Sequence, residues 1–485
     1  MGARFPEANY FVAGSRLRPG LDGGYTIATL RRAQQMAQQA GVHPVLLTFD
    51  FWPDYDAVVD EFTRIGLMDG RVSLRNLLQD ARRSPGFLRE RAVASGSLVE
   101  TDSDSVVGFE PSTEVDSTGT PWRTAWTDAA TGATVYTDLL GLDGRPLLRV
   151  PYVSGRADWH RAPIDITVFG DDGMPVGTLA GFGELYRTWV RHVLSTTDGS
   201  RTNVVVCESR QVGELLVDLP GDDVRLVHTV HSAHTSAPHR WDSPIDGLWQ
   251  SWFEVVHRFD AVLWLSQRQR EAVERRFGER DNFWVVPHAI EAVPGDRAVA
   301  RDPNLVVMIG RLVPLKRLDH ALRAFQSVRE ANPLARLVFY GDGPDEQRLR
   351  GLAVDLRVQD AVEFRGHQPD AADALSGAAA LMLSSTYEGQ PLVILEALAR
   401  GCPVVSYDID YGPSDMLEHG VSGLLVPDGD IRALGAALGS VLGDHDLQEA
   451  LSRGALKASE RFTPEKTMGR MAELLAQVVS HQRRG

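Results

Sequence analysis

The chain has 485 residues, of which 43% are hydrophobic, so it can form more than one buried core and does not have the composition of a disordered protein. Its 65 acidic and 50 basic side chains give a formal net charge of −15. This charge argues against a protein that coats nucleic acid or an anionic membrane, because such partners select basic surfaces. Its two cysteines exclude a disulfide framework and a four-cysteine zinc site.

The sequence contains no run of about 18 uninterrupted apolar residues, the length that predicts a membrane-spanning helix. Residues 1–15 also lack the charged and then apolar segments of a secretory signal. We therefore expect a cytoplasmic protein with no nucleic-acid partner and at most peripheral association with a membrane.

The first seventy or so residues alternate strands and helices. An apolar run at residues 9–13 precedes a glycine-containing loop, a helical segment and a second apolar strand, HPVLLTFD. A strand, a glycine-rich turn and a helix begin a nucleotide-binding α/β unit. Gly20, Gly23 and Gly24 lie in that turn and would let the backbone approach a bound group. Taken alone, these glycines are better explained by a plain tight turn.

From about Arg71 to Phe182 this alternation stops. The acidic stretch TDSDSVVGFEPSTEVDSTGT predicts a loop, and four β-type runs with hairpin signals between them follow: PWRTAWTD, ATVYTDLL, RPLLRVPYV and IDITVF. We predict an antiparallel sheet inserted into the α/β domain. Because its edges must be covered, it is a candidate module for oligomerisation or acceptor docking, and a solvated decoration explains it equally well.

A cluster of basic residues precedes the inserted sheet. It consists of Arg82, Arg83, Arg89 and Arg91 in the segment RRSPGFLRER. The cluster is either a local basic track for an anionic acceptor or a solvated helix face, and the second explanation is at least as good.

The α/β alternation resumes at Gly183, and a second α/β region begins at about Asn304, after a linker rich in charge and proline. Apolar strands alternating with amphipathic helices predict two doubly wound parallel sheets. We predict four parts: 1–71 with 183–298 as the first Rossmann-like domain, 72–182 as the insertion, 299–465 as the second Rossmann-like domain, and 466–485 as a C-terminal helix. Such a pair of domains places a ligand cleft between them, facing the carboxyl ends of both sheets.

Two cations lie at a strand-to-helix junction of the second region, in MIGRLVPLKRLDHA. Arg311 follows a buried strand, and Lys316 precedes a helix. Cations beside a helix N-terminus suit a diphosphate, because both the charges and the helix dipole favour an anion. Surface cations flanking a turn are nevertheless the commoner explanation of such a pair when it stands alone.

A second junction, SSTYEGQPLVILEALARG, places Glu388 in a turn and Glu396 inside the following helix. A carboxylate can accept hydrogen bonds from two vicinal hydroxyls, as in ribose. The free N–H groups of Leu392 and Val393 at the start of the helix can bind a phosphate. Two glutamates are weak evidence alone, but beside Arg311 and Lys316 on a neighbouring unit they become strong evidence for a nucleotide site.

Three histidines, His228, His231 and His234, end another apolar strand. Their spacing alternates faces, and no nearby acid or cysteine completes a metal site, so we predict no metal. A histidine at the carboxyl end of the strand is better explained as a contact to a sugar or an acceptor.

The motifs GRLVPLK, EGQPLVILEALARGCPVVSYD and YGPSDMLEHGVSGLLVPDGD, with the N-terminal glycine pair, resemble the retaining GT-B glycosyltransferases of the group 1, glycogen-synthase-like kind. The resemblance covers both α/β regions. The inserted sheet, HSAHT and YDIDYGPSDML narrow it to bacterial poly(glycerol or ribitol phosphate) glycosyltransferases that decorate wall teichoic acid. Relatives of those enzymes add N-acetylglucosamine to serine-rich proteins.

The resemblance implies an acceptor-side first domain, a second domain that binds a nucleotide sugar, and a role for each matching residue. The donor site would contain Gly23, Gly24, Arg311, Lys316, His367, Glu388, Gly389, Leu392, Val393 and Glu396. Among these, Arg311 and Lys316 would bind the diphosphate, Glu388 the sugar, Glu396 the ribose and His367 the uracil.

The catalytic set would be Glu388, His231, Arg311 and Lys316, with His231 matching the family's cleft histidine better than His234. One departure is Pro391, which stands where many members have glycine and removes one phosphate-facing amide.

The implied reaction is metal-independent transfer, with retention, of a hexose or N-acetylhexosamine from a UDP-sugar co-substrate, without a cofactor. The acceptor would be a hydroxyl of a polyol-phosphate polymer, and the inserted sheet would support a homo-oligomer. Three alternatives stay open: O-glycosylation of serine-rich protein, a non-catalytic partner subunit that binds glycosylated protein, and a nucleotide-sugar epimerase. The insertion argues against the epimerase, and the retained Arg311, Lys316, Glu388 and Glu396 argue against the non-catalytic subunit.

Overall fold

The computed structural model describes residues 3–21, 23–94, 108–153, 158–219, 221–293 and 301–481. The chain divides into two compact units. The first unit comprises Phe5–Thr229, Gln250–Val262 and Leu475–Gly485. The second unit comprises Met1–Arg4, Val230–Trp249 and Leu263–Leu474.

This division differs from the predicted boundary after residue 298, because segments 230–249 and 263–298 group with the second unit. Hydrogen bonds connect these segments to other parts of the second unit. Ser266 Oγ donates to Asp415 Oδ2 at 2.6 Å, and the Arg268 amide donates to Asp415 Oδ1 at 3.0 Å. The amide of Trp241 likewise donates to the Asp410 carboxylate.

The first parallel sheet has seven strands in the order β13-β12-β11-β10-β1-β2-β3. Its strands are β1 Ala8–Gly14, β2 Val45–Thr48, β3 Ser73–Asn76, β10 Thr202–Cys207, β11 Val224–Val230, β12 Ala261–Trp264 and β13 Phe283–Val285. The associated helices are α1 Gly23–Ala40, α2 Tyr55–Arg64, α3 Leu77–Arg83, α4 Gly86–Arg89, α5 Gly181–Ser195, α6 Arg210–Leu216, α7 Gly247–Val255 and α8 Gln267–Phe277. Every residue of β11 is buried, as expected for a parallel strand covered on both faces.

An antiparallel sheet of six strands interrupts this α/β region. Its strands follow chain order: β4 Phe109–Val115, β5 Pro121–Asp128, β6 Thr134–Leu140, β7 Pro146–Pro151, β8 Asp165–Phe169 and β9 Pro175–Ala180. The predicted insertion is therefore present, but its start at residue 72 is wrong, because β3 pairs in parallel with β2 and α3 follows it.

The sequence also predicted a loop where β4 lies and gave no strand where β9 lies. Most of β4 is exposed and polar, so it shows no alternation of apolar residues that would signal a strand. The part of the predicted acidic loop before residue 108 lies outside the described residues.

The second parallel sheet has the order β16-β15-β14-β17-β18-β19. Its strands are β14 Asp302–Ile309, β15 Arg336–Tyr340, β16 Val362–Phe364, β17 Ala378–Leu383, β18 Val404–Asp408 and β19 Leu424–Pro427. Its helices are α9 Leu318–Ala331, α10 Glu346–Asp355, α11 Ala374–Gly377, α12 Leu392–Ala399, α13 Pro413–Met416, α14 Ile431–Gly443, α15 His445–Ser459 and α16 Pro464–Ser480. The strand order reverses between β14 and β17, and ligands of such sheets bind at that point.

Three arginines of the proposed basic track have partners within the first unit. Arg82 is buried and pairs with Asp116 at 2.9 Å, Arg83 pairs with Asp56 at 2.9 Å, and Arg89 pairs with Asp171 at 2.7 Å. Arg89 also donates to the Phe169 carbonyl, so it attaches α4 to β8. These contacts favour a structural role for Arg82 and Arg89 over an acceptor track.

The end of α16 belongs to the first unit, where Arg225 holds it. The Arg225 guanidinium donates to the carbonyl oxygens of Val478 at 3.1 Å and His481 at 2.7 Å, near the helix C-terminus. Cations are favoured there because the last carbonyls of a helix have no intrahelical donor. Across the described residues, no helix is both long enough and apolar enough to cross a lipid bilayer.

Candidate nucleotide-sugar site

The predicted donor residues of the second unit lie on loops that follow β14 and β17. These strands are neighbours, so their carboxyl ends meet at the same edge of the sheet. The loop after β14 carries Arg311 and Lys316, and the loop after β17 carries Glu388. The topology therefore brings together side chains about seventy residues apart in sequence.

Lys316 and Glu388 form the central contact of this edge. The Lys316 ammonium lies 2.5 Å from Oε1 of Glu388, and both side chains are partly buried, with 22% and 14% of their surfaces exposed. The carboxylate aligns the ammonium, and both remain accessible enough to meet a ligand.

Arg311 is exposed and forms no ion pair with any described residue. It lines one crevice together with Gly310, Lys316, Ser384 and Ser385. Arg311 is close enough to Tyr387 to affect its pKa. Burial is the main cause that raises the pKa of Tyr387, the carboxylates of Asp246 and Glu388 raise this pKa further, and the charge of Arg311 lowers it. An unpaired guanidinium beside a lysine is a suitable receptor for a diphosphate.

The loop after β14 is held by backbone hydrogen bonds to the next strand. The Gly310 amide donates to the Tyr340 carbonyl at 2.9 Å, and the Leu312 amide donates to the Asp342 carbonyl at 2.7 Å. A Cβ atom on Gly341 would lie 2.1 Å from the Gly310 carbonyl oxygen, so only glycine allows this approach. These contacts on either side of Arg311 fix the position of its backbone.

Arg317 attaches the Lys316 loop to the end of β17. Its backbone is left-handed, with φ 43° and ψ 47°. Its guanidinium donates to the carbonyls of Ser384 at 2.9 Å and Ser385 at 2.6 Å and pairs with Asp428. In the other direction, Ser384 Oγ donates to the Lys316 carbonyl at 2.7 Å. Sequence analysis did not single out Arg317; a second cation directly after Lys316 was the available signal.

Gly389 brings the turn after β17 against the segment that carries His231. A Cβ atom at Gly389 would lie 2.2 Å from the His231 carbonyl oxygen, which leaves no room for another residue. The next residue reinforces the junction, because buried Gln390 accepts a hydrogen bond from the His288 amide at 2.6 Å. The His231 and His288 rings stack with centroids 5.4 Å apart. His231 and Glu388 are therefore held on adjoining backbone segments of the second unit.

Helix α12 begins beside this turn. Pro391 is its N-cap, with φ −69° and ψ 111°, and the Ile394 amide donates to the Pro391 carbonyl at 3.0 Å. The amides of Leu392 and Val393 belong to the first turn, where N–H groups lack intrahelical acceptors. Glu396 lies one turn further along, on a partly buried face. This arrangement places two amides where an anion can bind, with Glu396 further along the same helix.

The two histidines of HSAHT occupy different surroundings. His231 is partly exposed, whereas His234 is fully buried. Burial, together with the charge of Arg276, lowers the pKa of His234 to about 4, so it is neutral near pH 7. Gln269 lies 3.3 Å from its Nδ1, and the Tyr411 ring stacks on it at 5.8 Å. His234 is thus part of the core of the second unit.

The remaining predicted residues are placed as follows. His367 is exposed and lies in the loop after β16. The carbonyl of the preceding Gly366 accepts a hydrogen bond from the Gly341 amide at 2.7 Å, so this loop contacts the loop after β15, which lies between it and the loop of Arg311. Gly23 and Gly24 begin α1, which belongs to the first unit. Among the residues that the structure describes, no group of three or more His, Cys, Asp or Glu side chains is arranged to hold a metal ion.

With this geometry in place, comparison with known families defines the class. Residues 290–458 match the family described as Glycosyl transferases group 1, so the chain contains a group 1 glycosyltransferase domain. That segment includes Arg311, Lys316, Glu388 and Glu396. The fold likeness agrees: S. aureus TarM, in complex with fondaparinux, α-GlcNAc-glycerol and UDP, has a TM-score of 0.74 at 16% identity. The match covers 96% of this chain and 99% of TarM. The chain therefore has the α/β GT-B fold, with an antiparallel sheet in its N-terminal region.

Two curated relatives match part of the chain. An exopolysaccharide phosphotransferase of Streptomyces coelicolor is 35% identical over 225 residues, which cover 46% of this chain and 24% of the relative. The poly(glycerol-phosphate) alpha-glucosyltransferase of Bacillus subtilis is 31% identical over 238 residues, which cover 48% of this chain and 35% of the relative. The chain thus spans about a quarter and a third of the length of these relatives.

Proposed function

We propose that this protein transfers a hexose or N-acetylhexosamine, with retention, from a UDP-sugar to a hydroxyl of a polyol-phosphate polymer. The observation that carries the proposal is the Lys316–Glu388 contact beside Arg311, which forms no ion pair within the described part of the chain, at the point where the strand order of a group 1 domain reverses. An open sheet of this kind binds its ligand there.

In this proposal the donor diphosphate lies against Arg311, Lys316 and the first amides of α12. The sugar–phosphate bond breaks with negative charge developing on the departing phosphate. Fixed cations and amides lower the barrier by stabilising that charge, and they need no reorganisation when the bond breaks. Because these groups already supply positive charge, we expect the reaction to proceed without a metal.

Glu388 is proposed to accept hydrogen bonds from hydroxyls of the transferred sugar. Its Oε1 is engaged by Lys316 at 2.5 Å, which suits a positioning acceptor better than a free nucleophile. Glu396, eight residues further and inside α12, is proposed to accept hydrogen bonds from the ribose hydroxyls. His231 is proposed to contact the sugar or the acceptor from the adjoining segment.

Retention without a protein nucleophile requires attack on the face from which the phosphate leaves. The acceptor oxygen forms the new bond to the anomeric carbon, the bond to the phosphate oxygen breaks, and the departing phosphate takes the proton of the acceptor hydroxyl. Products are then the glycosylated acceptor and UDP. The same cations that stabilise the phosphate would hold it in place for this proton transfer.

The acceptor class is supported by the relatives. One is named a poly(glycerol-phosphate) alpha-glucosyltransferase, and the structure of TarM contains α-GlcNAc-glycerol and UDP. Glycerol is common to these names, and the first of them gives it as a phosphate polymer. Serine-rich protein is the alternative that the same experiment must test.

The test is a mass-spectrometric screen of the full chain. UDP-glucose, UDP-galactose and UDP-N-acetylglucosamine are each incubated with glycerol-phosphate oligomers, ribitol-phosphate oligomers and serine-rich peptides. We expect transfer to one of the polyol phosphates, with an α-anomeric product visible by NMR. Transfer only to peptide would replace the acceptor, and conversion of donor without any acceptor would support the epimerase.

Two variants make the screen specific. Glu388→Gln and Lys316→Ala are expected to reduce transfer about a hundredfold or more, whereas Glu330→Gln and Lys466→Ala, at exposed positions of α9 and α16, should not. If donor binds but no acceptor is glycosylated under any condition, the proposal is wrong.

A further inference from the structure

We infer that the first unit contains a second ligand site, a cavity that fits a neutral pyranose ring. The cavity measures about 330 Å³ and lies between the antiparallel sheet, the end of β2 and α5. That volume is within the usual range of small-molecule sites. Six aromatic side chains line it: Phe49, Phe51, Tyr152, Trp159, Phe182 and Tyr186.

The aromatic rings form a graded wall. Phe49, Phe182 and Tyr186 are buried, while Trp159 and Tyr152 are 36% and 58% exposed. The rings support one another: Trp159 meets Phe182 edge-on at 5.0 Å, and Phe49 contacts Tyr186 at 4.6 Å. A buried floor with large exposed rings at the opening is the shape of a binding site rather than of a packed core.

Three polar side chains share the lining: Asp50, Arg123 and Thr137. Asp50 lies 3.6 Å from Arg18 and accepts a hydrogen bond from the Tyr55 hydroxyl at 2.6 Å. Arg123 lies 2.5 Å from Glu114. Each charge in the lining is therefore balanced by a partner outside it.

This balance decides between ligand classes. A phosphate would be repelled by Asp50, and a cation would be repelled by Arg123. Neither ligand would find an uncompensated charge of opposite sign among the described lining residues. A plain hydrocarbon would cover the polar groups without bonding them. A sugar ring suits both the aromatic and the polar side chains of the lining, because its C–H faces stack on aromatic rings and its hydroxyls form hydrogen bonds with polar groups.

Asp50 has capacity for such hydroxyls. Its Oδ2 atom is buried and receives no hydrogen bond from any residue in the described part of the chain. This atom faces Arg18 at 3.6 Å and not the cavity, but 18% of the Asp50 side chain stays exposed, and a carboxylate can accept several hydrogen bonds, so a ligand hydroxyl would meet its exposed part. Thr137, on β6, adds a second polar side chain to the lining.

Ligand-observed NMR on the full chain tests the inference. The probes are methyl α-D-glucopyranoside and methyl N-acetyl-α-D-glucosaminide, with glycerol 3-phosphate as the charged comparison. We expect saturation transfer to at least one glycoside and none to glycerol 3-phosphate at this site. The assay contains no donor and no transfer, so its failure is distinct from a failure of the proposed function.

Matched variants locate the binding. Tyr152→Ala and Trp159→Ala should each weaken glycoside binding about three- to tenfold, the range expected from losing one aromatic contact. Tyr152→Phe should retain binding, because the ring remains. Met174→Ala, in an exposed turn of the same sheet, is the control. Lys316→Ala and saturating UDP should leave glycoside binding unchanged, since the donor site lies in the second unit.

A further binding experiment distinguishes a free sugar from a sugar that is attached to a polymer. Binding of the glycoside alone assigns the site to a free sugar, and tighter binding of a glycosylated glycerol-phosphate oligomer than of the bare oligomer assigns it to sugar carried by a polymer. The inference is overturned if neither glycoside binds, if UDP displaces the bound glycoside, or if both alanine variants bind it as the parent chain does.

Discussion

Lys316 Nζ and Glu388 Oε1 lie 2.5 Å apart and join the loops that follow two neighbouring strands, β14 and β17. In the proposed reaction, Lys316 is the cation that meets the diphosphate and Glu388 is the carboxylate that meets the sugar. The two loops are also joined by Arg317, which donates to the Ser384 carbonyl, and by the Ser384 hydroxyl, which donates to the Lys316 carbonyl. The side chains of Lys316 and Glu388 can therefore be changed with the fold preserved.

The first prediction concerns that pair. Glu388→Gln keeps the shape but removes the charge, and Lys316→Ala removes the cation aimed at the leaving phosphate. We expect kcat to fall about 10²–10³-fold for Lys316→Ala, the usual loss for one preorganised group that stabilises developing charge. Steady-state kinetics with thermal melts measure this; wild-type kcat in either variant would place the chemistry elsewhere.

Gly389 supports the second prediction. Its replacement by alanine puts a Cβ atom 2.2 Å from the His231 carbonyl oxygen, so the turn that carries Glu388 must shift. We expect transfer to be lost and the melting temperature to fall. Gly351→Ala is the matched control: it lies inside α10 with nothing near its Cβ position, so alanine should stabilise that helix by about 1 kcal/mol.

Arg317 supplies the third prediction. Arg317→Gly relieves a left-handed backbone but removes the three contacts that position the Lys316 loop, so the Kd for UDP should rise with the fold retained. Arg357→Gly is the control, since Arg357 also has positive φ, 57°, at the end of α10. It should gain about 1 kcal/mol of stability without a change in UDP affinity by calorimetry. Equal UDP affinities in both variants would exclude a positioning role for Arg317.

The fourth prediction is a pH dependence of stability. The pKa of His234 is lowered from 6.5 to about 4 in the native state, so the unfolded state binds a proton first as pH falls. Neutral His234 makes its full contribution to the free energy of unfolding above pH 6.5. As the pH falls from 6.5 to about 4, this contribution is lost, and the free energy of unfolding decreases by about 3 kcal/mol. Denaturant unfolding at several pH values measures it. His234→Asn should flatten the decline, and exposed His445→Asn should not; identical profiles would contradict the assignment.

The fifth prediction separates structure from acceptor binding in the arginine cluster. Arg82→Ala removes a buried ion pair with Asp116 and a hydrogen bond to the Pro121 carbonyl, so it should cost about 1.5–3 kcal/mol of unfolding free energy. Exposed Arg91→Ala should be neutral. An acceptor Michaelis constant that rises in the Arg91 variant alone would restore the basic track.

Much of the second unit could be predicted from its sequence. Its strands are apolar runs between amphipathic helices, so the spacing of apolar residues and the order of the segments are enough to predict a parallel sheet. The predicted cations and glutamates follow strand ends, where parallel sheets bind ligands. The resemblance to group 1 glycosyltransferases was also confirmed by the family match over residues 290–458. The individual roles of the predicted site residues stay predictions.

Other features could not be predicted because they depend on long-range contacts. Arg317 is an ordinary exposed cation by sequence, and only the fold brings the Ser384 and Ser385 carbonyls to it. The strand β4 lacks an apolar face and gave no signal. The burial of His234 follows from packing against Tyr411 and Trp264, which are distant in the chain or on another strand.

The outermost strand of the antiparallel sheet has a consequence for self-association. Six of the seven residues of β4 are exposed, with Glu110 and Glu114 near its ends and Pro111 between them. Proline has no amide hydrogen to share with an incoming strand, and like charges on two copies would repel, so a continuous intermolecular β-ladder along this margin is disfavoured. Subunits that met along this margin would instead join through side chains, and the strength of that contact would follow buried area rather than backbone pairing.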